Sequence, residues 1–256
     1  MDTTELPSRG AAARQAPACA ACLSTETAPH LVKNGFGFSR CAACGFLFAD
    51  PMPSEAVVDA YYAENYRSAN ADFYPKARSR LRRARVKALR LLPRIRGKDV
   101  LDLGCGGGFM ADSFRFWGAR ASGLDISSGG IAYAKAHFPG CTFYCEAMES
   151  FAKRGITFDF VFTTELFEHL RGVGEVMPFL RDVVRPGGSV FVATPDIGHP
   201  AVPADLPSWD QIAPPEHLQI FTEAAASALF ARFGFTLDKR WPKHTPALAH
   251  FFKRNG

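Results

Sequence analysis

Val100-Leu101-Asp102-Leu103-Gly104-Cys105-Gly106-Gly107-Gly108 joins an apolar run of strand length to a glycine-rich turn, and residues with helical character follow. Glycine lets the main chain turn sharply and approach a ligand at the carboxyl edge of a sheet. A nucleotide-like ligand is expected in that bend. The dinucleotide fingerprint G-x-G-x-x-G would need Gly or Ala at position 109, where this chain has Phe109, which weakens a nicotinamide reading. A second apolar strand ends at Asp125, about 20 residues beyond the turn, where a carboxylate can accept hydrogen bonds from both hydroxyls of a ribose.

Outward from this bend, short apolar segments at 99–103, 119–124, 141–144, 158–163 and 189–193 alternate with helical ones. That alternation predicts βαβ units and a mostly parallel sheet. The stretch from Val100 to Gly108, then Gly123-Leu124-Asp125, then Arg185-Pro186-Gly187-Gly188 resembles, in order, three motifs of class I S-adenosylmethionine-dependent methyltransferases. The resemblance implies an α/β, Rossmann-like methyltransferase sheet with its last strand reversed, for which only residues 241–252 are in place. It also implies a cofactor set of Asp102, Gly104, Gly106, Gly108, Asp125, Glu146 and Ala147, although the family more often has Asp where this chain has Glu146.

Cys19-Ala-Ala-Cys22 and Cys41-Ala-Ala-Cys44-Gly45 make two C-x-x-C pairs. Two such knuckles read as a zinc ribbon with Cys19, Cys22, Cys41 and Cys44 as a closed tetrahedral site of structural role, and redox or disulfide chemistry is the weaker reading. The segment Cys41 to Phe46, with Asp50-Pro51-Met52-Pro53 and the tyrosine-rich stretch through Tyr61, Tyr62 and Tyr66, resembles a bacterial methyltransferase subgroup in which a zinc ribbon precedes the core. That subgroup includes deoxysugar C-methyltransferases, and Pro214-Pro215-Glu216-His217-Leu218 is similar to its E-H motif. The resemblance makes His217 the general base; Glu216 beside it either orients that imidazole or binds the substrate. Tyr61, Tyr62 and Tyr66 either cover the cofactor, as in relatives, or belong to the core as aromatic residues at helical spacing do. Glu165, Glu168 and His169 resemble the E-x-x-E-H of quinone-pathway O-methyltransferases, where a divalent metal is implicated, so His169 is a second base or a metal ligand and Glu165 joins the cofactor set.

The expected organisation is a disordered 1–18, a zinc ribbon at 19–48, a helical cap at 49–96 and the methyltransferase core at 97–256. The net charge of +5 is local, because residues 76–98 carry eleven Lys and Arg and no carboxylate. Within that stretch Ala77, Leu81, Ala84, Ala88 and Leu91 recur at helical spacing, predicting a helix with one buried face and a solvated arginine face. No segment has the roughly 20 apolar residues of a membrane span, so a cytoplasmic protein with no membrane partner is expected. The favoured function is methyl transfer to a small molecule, a sugar or natural-product intermediate. An RNA methyltransferase using the ribbon and basic helix, or a non-catalytic cofactor- or partner-binding domain, are the alternatives.

Overall fold

A computed structural model describes residues 17–66, 74–241 and 244–256, without the side chains of 63–66 and 175. The expectation for residues 1–18 therefore falls, up to residue 16, outside the described residues. The N-terminal part forms β1 (Thr27–Lys33), β2 (Phe36–Cys41) and β3 (Leu47–Ala49), then α1 (Glu55–Tyr66), α2 (Ala77–Arg90) and α3 (Leu92–Ile95). The core alternates β4 (Asp99–Leu103), α4 (Phe109–Phe116), β5 (Arg120–Asp125), α5 (Ser128–His137), β6 (Thr142–Cys145), α6 (Met148–Ala152), β7 (Phe158–Thr164), α7 (Val173–Val183) and β8 (Val184–Pro195). It closes with β9 (Gln219–Ile220), α8 (Glu223–Arg232), β10 (Phe235–Arg240) and β11 (Ala247–Arg254).

Seven strands form one sheet in the order β10-β11-β8-β7-β4-β5-β6. β4, β5, β6, β7 and β8 run parallel, and β11 enters antiparallel between β8 and β10. The expected Rossmann-like sheet with a reversed last strand is present. Its reversed strand lies at Ala247–Arg254, later than the 241–252 that the sequence offered, and β10 is a strand the sequence pattern did not single out. β8 also starts earlier than expected, running through Arg185 to Gly188. The ladder to β7 is irregular between Phe158 and Phe160, and Gly187 adopts a φ of 74°, so this segment stays in the sheet as an irregular strand start.

Buried residues on consecutive positions go to opposite faces, as the period of a strand requires. Leu101, Val161, Val190 and Phe252 pack with α7 and α8 on one face. Val100, Phe160, Phe191 and Phe251 pack with Ala88, Leu91, Ile95 and Phe114 of the α2, α3 and α4 layer on the other. With both faces covered, the central strands read as continuous apolar runs. The α2 face formed by Ala84, Ala88 and Leu91 is buried as its spacing predicts.

The ribbon is built into this core. β1, β2 and β3 form a second sheet whose fourth strand is β9, contributed from beyond β8. Phe46 stacks on Phe48 and meets Phe221 at a tilt, with ring centroids 5.6 and 4.8 Å apart, and the Thr222 hydroxyl, which caps α8 by accepting the Ala225 N–H, donates to the Cys44 carbonyl at 2.6 Å.

At the first turn of α8, Glu223 takes Arg240 bidentately at 2.7 and 2.5 Å, and its Oε2 also meets His250 Nε2 at 2.8 Å. Arg240 first and His250 second hold the Glu223 carboxyl down at about 2. Because the folded value lies below the ordinary one, this contribution is complete above about pH 4.3 and is lost as the pH falls toward 2. With 39% of the side chain exposed, screening reduces it to on the order of 1 kcal/mol. Glu223→Gln is expected to lower the urea midpoint at pH 7, and the gap from the parent protein should narrow at pH 3.

Candidate functional site

The glycine turn sits where β4 passes into α4. Gly104, Gly106 and Gly108 have φ of 75°, 48° and 78°, a region that L side chains seldom enter. A Cβ on Gly108 would also lie 2.7 Å from the Phe143 ring. Gly104 and Cys105 donate their N–H groups to the Leu124 carbonyl at 2.9 and 3.2 Å, tying the turn to the end of β5.

Asp125, the last residue of β5, accepts the Gly106 N–H on Oδ2 at 2.7 Å and the Ser127 N–H on Oδ1 at 2.8 Å. Each oxygen keeps a further lone pair, which suits a carboxylate that receives a diol. Ile126 follows with 79% of its surface exposed, an apolar face beside the carboxylate of the kind a flat ring system covers. These glycines, the diol-type carboxylate and Ile126 fit an adenosyl ligand.

The rest of the expected set is distributed differently. Asp102 is buried, and its Oδ2 accepts the Ala111 N–H at 3.2 Å, so it secures the start of α4 instead of lining the crevice. Burial first, and the charge of Asp125 as a lesser cause, push its carboxyl up to about 7. Glu146 directs its carboxylate to Arg154 at 2.8 Å, while Ala147 is exposed at the start of α6. Glu165 is exposed beyond β7 with a φ of 53°. The Tyr66 side chain lies outside the described residues. The residue that does cover the turn is Tyr74, whose ring would lie 2.4 Å from a Cβ on Gly107 and whose hydroxyl would lie 3.2 Å from one on Gly106. Burial and then the Asp125 carboxylate raise its phenol to about 12. Tyr74 and Ile126 had no periodic or motif signal of their own; the one available cue was their position next to recognisable elements.

A second cluster lies along the same edge of the sheet. Leu166, just past β7, would be 3.7 Å from a Cβ on Gly104, and His169 follows three residues later. The Leu218 N–H donates to the Glu168 carbonyl at 2.7 Å, and the Gln219 side-chain amide donates to the Leu170 carbonyl, which brings the 216–219 segment onto this one. The His169 and His217 rings meet edge to face with centroids 4.8 Å apart. His217 Nδ1 is 2.8 Å from the Gln211 carbonyl, and His169 Nδ1 is 3.0 Å from the Glu216 carbonyl. A carbonyl only accepts, so each neutral ring carries its proton on Nδ1 and leaves a lone pair on Nε2. Burial and the neighbouring His217 lower the His169 pKa, which keeps that ring neutral. The Tyr61 hydroxyl donates to Glu216 Oε2 at 3.2 Å, and the Tyr62 hydroxyl lies 3.1 Å from His169 Nδ1. Two of the tyrosines of α1 thus support the histidine pair.

Glu168 is fully buried; its Oε2 accepts the Thr194 hydroxyl at 2.9 Å, and its Oε1 has no hydrogen-bond partner among the described residues. Burial, with Glu165 adding to it, pushes this carboxyl up to about 8. Ligand atoms of Glu168, His169 and His217 lie within 4.8 Å of one another.

In the ribbon, the Cys19–Cys44 and Cys22–Cys41 sulfurs are each 3.6 Å apart and all four fall within 4.8 Å. A disulfide would bring sulfurs to about 2.05 Å. Tetrahedral zinc with Zn–S near 2.3 Å spaces them by about 3.8 Å, so the donor set and its spacing fit that ion.

The sequence profile of a methyltransferase domain matches residues 75–240, more than half of the chain. The chain belongs to the methyltransferase-domain family. Curated relatives include the ubiquinone biosynthesis O-methyltransferase of Paraburkholderia phymatum, 33% identical over 151 residues that cover 57% of this chain and 63% of the relative. The enzyme of the same name from Sinorhizobium fredii is 36% identical over 104 residues, covering 39% of this chain and 42% of the relative. The chain thus spans less than two thirds of the length of these relatives. Among solved structures, the magnesium protoporphyrin IX methyltransferase of Synechocystis with bound SAH superposes with a TM-score of 0.56 at 16% identity, covering 79% of this chain and all of that one. A S-adenosylmethionine-dependent methyltransferase from Mesorhizobium loti gives a TM-score of 0.52 at 22% identity, covering 67% and 98% of the two chains. These likenesses are of fold. Among the described residues no helix is long and apolar enough to cross a membrane.

Gly108→Ala combines a left-handed φ with the Phe143 overlap. It is expected to reduce the affinity for S-adenosylhomocysteine at least tenfold by calorimetry while leaving the zinc-ribbon cysteines titratable as before.

Proposed function

We propose that this chain transfers a methyl group from S-adenosylmethionine to a small-molecule acceptor, with His217 Nε2 as the general base. The observation that carries this reading is the shared sheet edge, where the glycine turn ending at Asp125 and the His169–His217 pair, each with Nδ1 against a backbone carbonyl, come together. Gly104, Gly106, Gly108, Asp125 and Ile126 would hold the cofactor, which supplies an electrophilic methyl group on a cationic sulfur. The chain's own task is to orient the acceptor and remove its proton, for which a neutral histidine is suited near pH 7. His217 takes that proton on Nε2 while the Gln211 carbonyl keeps Nδ1–H in place. Glu216, held by Tyr61, fixes His169 through its carbonyl and so sets the edge-to-face contact between the rings.

The acceptor we favour is a sugar or natural-product intermediate, supported by the resemblance of the ribbon and the E-H motif to deoxysugar C-methyltransferases. A second reading is an oxygen acceptor with a divalent cation on Glu168, His169 and His217. The O-methyltransferase names of the curated relatives favour it, as does the unpartnered Glu168 Oε1. Two imidazoles and one carboxylate leave further coordination positions open to an acceptor oxygen. Methyl transfer measured after chelation separates the two: full activity supports the first reading, and recovery only with added Mg²⁺ or Mn²⁺ supports the second.

Zinc on Cys19, Cys22, Cys41 and Cys44 has a structural role in this reading, since four thiolates close the coordination sphere. A reducing compartment such as the cytoplasm preserves those thiolates. Elemental analysis of the purified protein is expected to give one zinc per chain, and Cys44→Ser should lower both the zinc content and the melting temperature. His217→Ala is expected to cut kcat about a hundredfold or more, with S-adenosylhomocysteine affinity unchanged. An unchanged kcat rules out His217 as base, and a protein that binds no S-adenosylhomocysteine rules out the function altogether.

A further inference from the structure

The arginine face of α2 is not a uniform solvated surface. Seven of the fourteen residues from Ala77 to Arg90 are Lys or Arg and none is acidic. In the midst of them Val86 is 48% exposed and Leu89 44%, and Phe116 of α4, 50% exposed, carries the Arg85 guanidinium on its ring. A groove of about 290 Å³ is lined by Arg78, Arg82, Arg85, Val86, Leu89 and Trp117. Asp112, which lies beneath it, is buried and already paired with Arg115 at 2.7 Å and Arg85 at 3.6 Å. Among the described residues Arg78, Arg82, Arg83 and Arg90 form no ion pair.

We propose that this ridge docks on an anionic phospholipid surface, with Arg78, Arg82 and Arg83 against the phosphates and Val86 and Leu89 in the acyl boundary. A basic helix face with exposed aliphatic residues gains from both terms at such a surface: charge attraction to the headgroups and burial of apolar area just below them. Single exposed apolar residues need no explanation, but here Val86 and Leu89 line one groove together with Arg78, Arg82 and Arg85. Single-stranded RNA is the other polyanion that charge alone would admit, and it needs open aromatic faces for stacking. The Phe116 face is taken by the Arg85 guanidinium at 4.2 Å, and the Trp117 indole N–H is committed to the Arg85 carbonyl at 2.9 Å. The aliphatic pair therefore favours lipid. The sequence-based expectation of no membrane partner rested on the lack of a span, and a helix lying in the interface needs none.

Position adds a consequence. α2 begins three residues after Tyr74, whose ring covers the glycine turn, so the ridge starts beside the cofactor crevice. A docked protein would hold the mouth of the site near the bilayer. The docking itself stands independently of the methyl-transfer reading.

Cosedimentation of the purified full chain with vesicles of phosphatidylcholine alone, or of phosphatidylcholine with phosphatidylglycerol, tests it. At least tenfold stronger partition onto the anionic vesicles is expected, weakening with added salt. Each basic residue at such a surface is worth about fivefold in partition, so Arg82→Glu/Arg83→Glu should abolish binding. Val86→Ser/Leu89→Ser, which leaves the charge unchanged, should weaken it more than threefold, and Val86→Ser alone repeats the test if the double variant melts early. S-adenosylhomocysteine affinity, measured in parallel, should be unaffected in every variant. Equal partition onto both vesicle types, no partition at all, or indifference to the serine substitutions overturns the proposal. So does tight binding of single-stranded RNA in place of vesicles.

Discussion

The hydrogen bond from the Gly106 N–H to the Asp125 carboxylate joins the two strands on which the site rests. It can form only because the main chain leaves β4 through left-handed glycines and doubles back over the end of β5. With that bend fixed, the amide groups of the turn, the carboxylate and the exposed Ile126 share one edge of the sheet. The parallel order β7-β4-β5-β6 then brings the residues after β7 to the same edge. Brought there as well is the histidine pair, which no local feature of either segment would assemble.

Burial sorts the acidic residues of this region into different tasks. Asp102, sealed beneath the turn, answers a backbone N–H and serves α4, whereas Asp125 at the strand end retains the solvent access a ligand needs. Glu168 and Glu165 differ in the same way: one is enclosed with an oxygen unanswered, the other exposed on a left-handed residue. An unanswered buried oxygen is costly in a folded protein unless a proton, a cation or an acceptor satisfies it. Here that oxygen lies close to two imidazoles, the ligand atoms of Glu168, His169 and His217 falling within 4.8 Å of one another.

The ribbon shows how a small cysteine module is held by a larger fold. Its sheet is completed by β9, and its buried cysteines share a core with Phe221 and Phe230. Since β9 directly follows His217 in the chain, the same strand that extends the ribbon sheet also anchors the loop carrying the proposed base. Ribbon integrity and the position of His217 are thereby linked through main-chain pairing.

The glycine turn, Asp125, the two C-x-x-C pairs and the α2 core stripe were legible in the sequence because each depends on spacing within one strand, turn or helix. The reversed strand and β10 were harder to read: β11 pairs antiparallel with β8, and its register is set by neighbours and not by its own pattern. The partners that Asp102 and Glu146 take, the Ala111 N–H and Arg154, were likewise set by the folded arrangement and not by their own segments. Tyr74 over the glycines, Ile126 exposed beside Asp125 and the His169–His217 contact came only from tertiary structure. Each joins residues or surfaces whose meeting is fixed by the order of strands in the sheet, a constraint that short-range sequence does not carry.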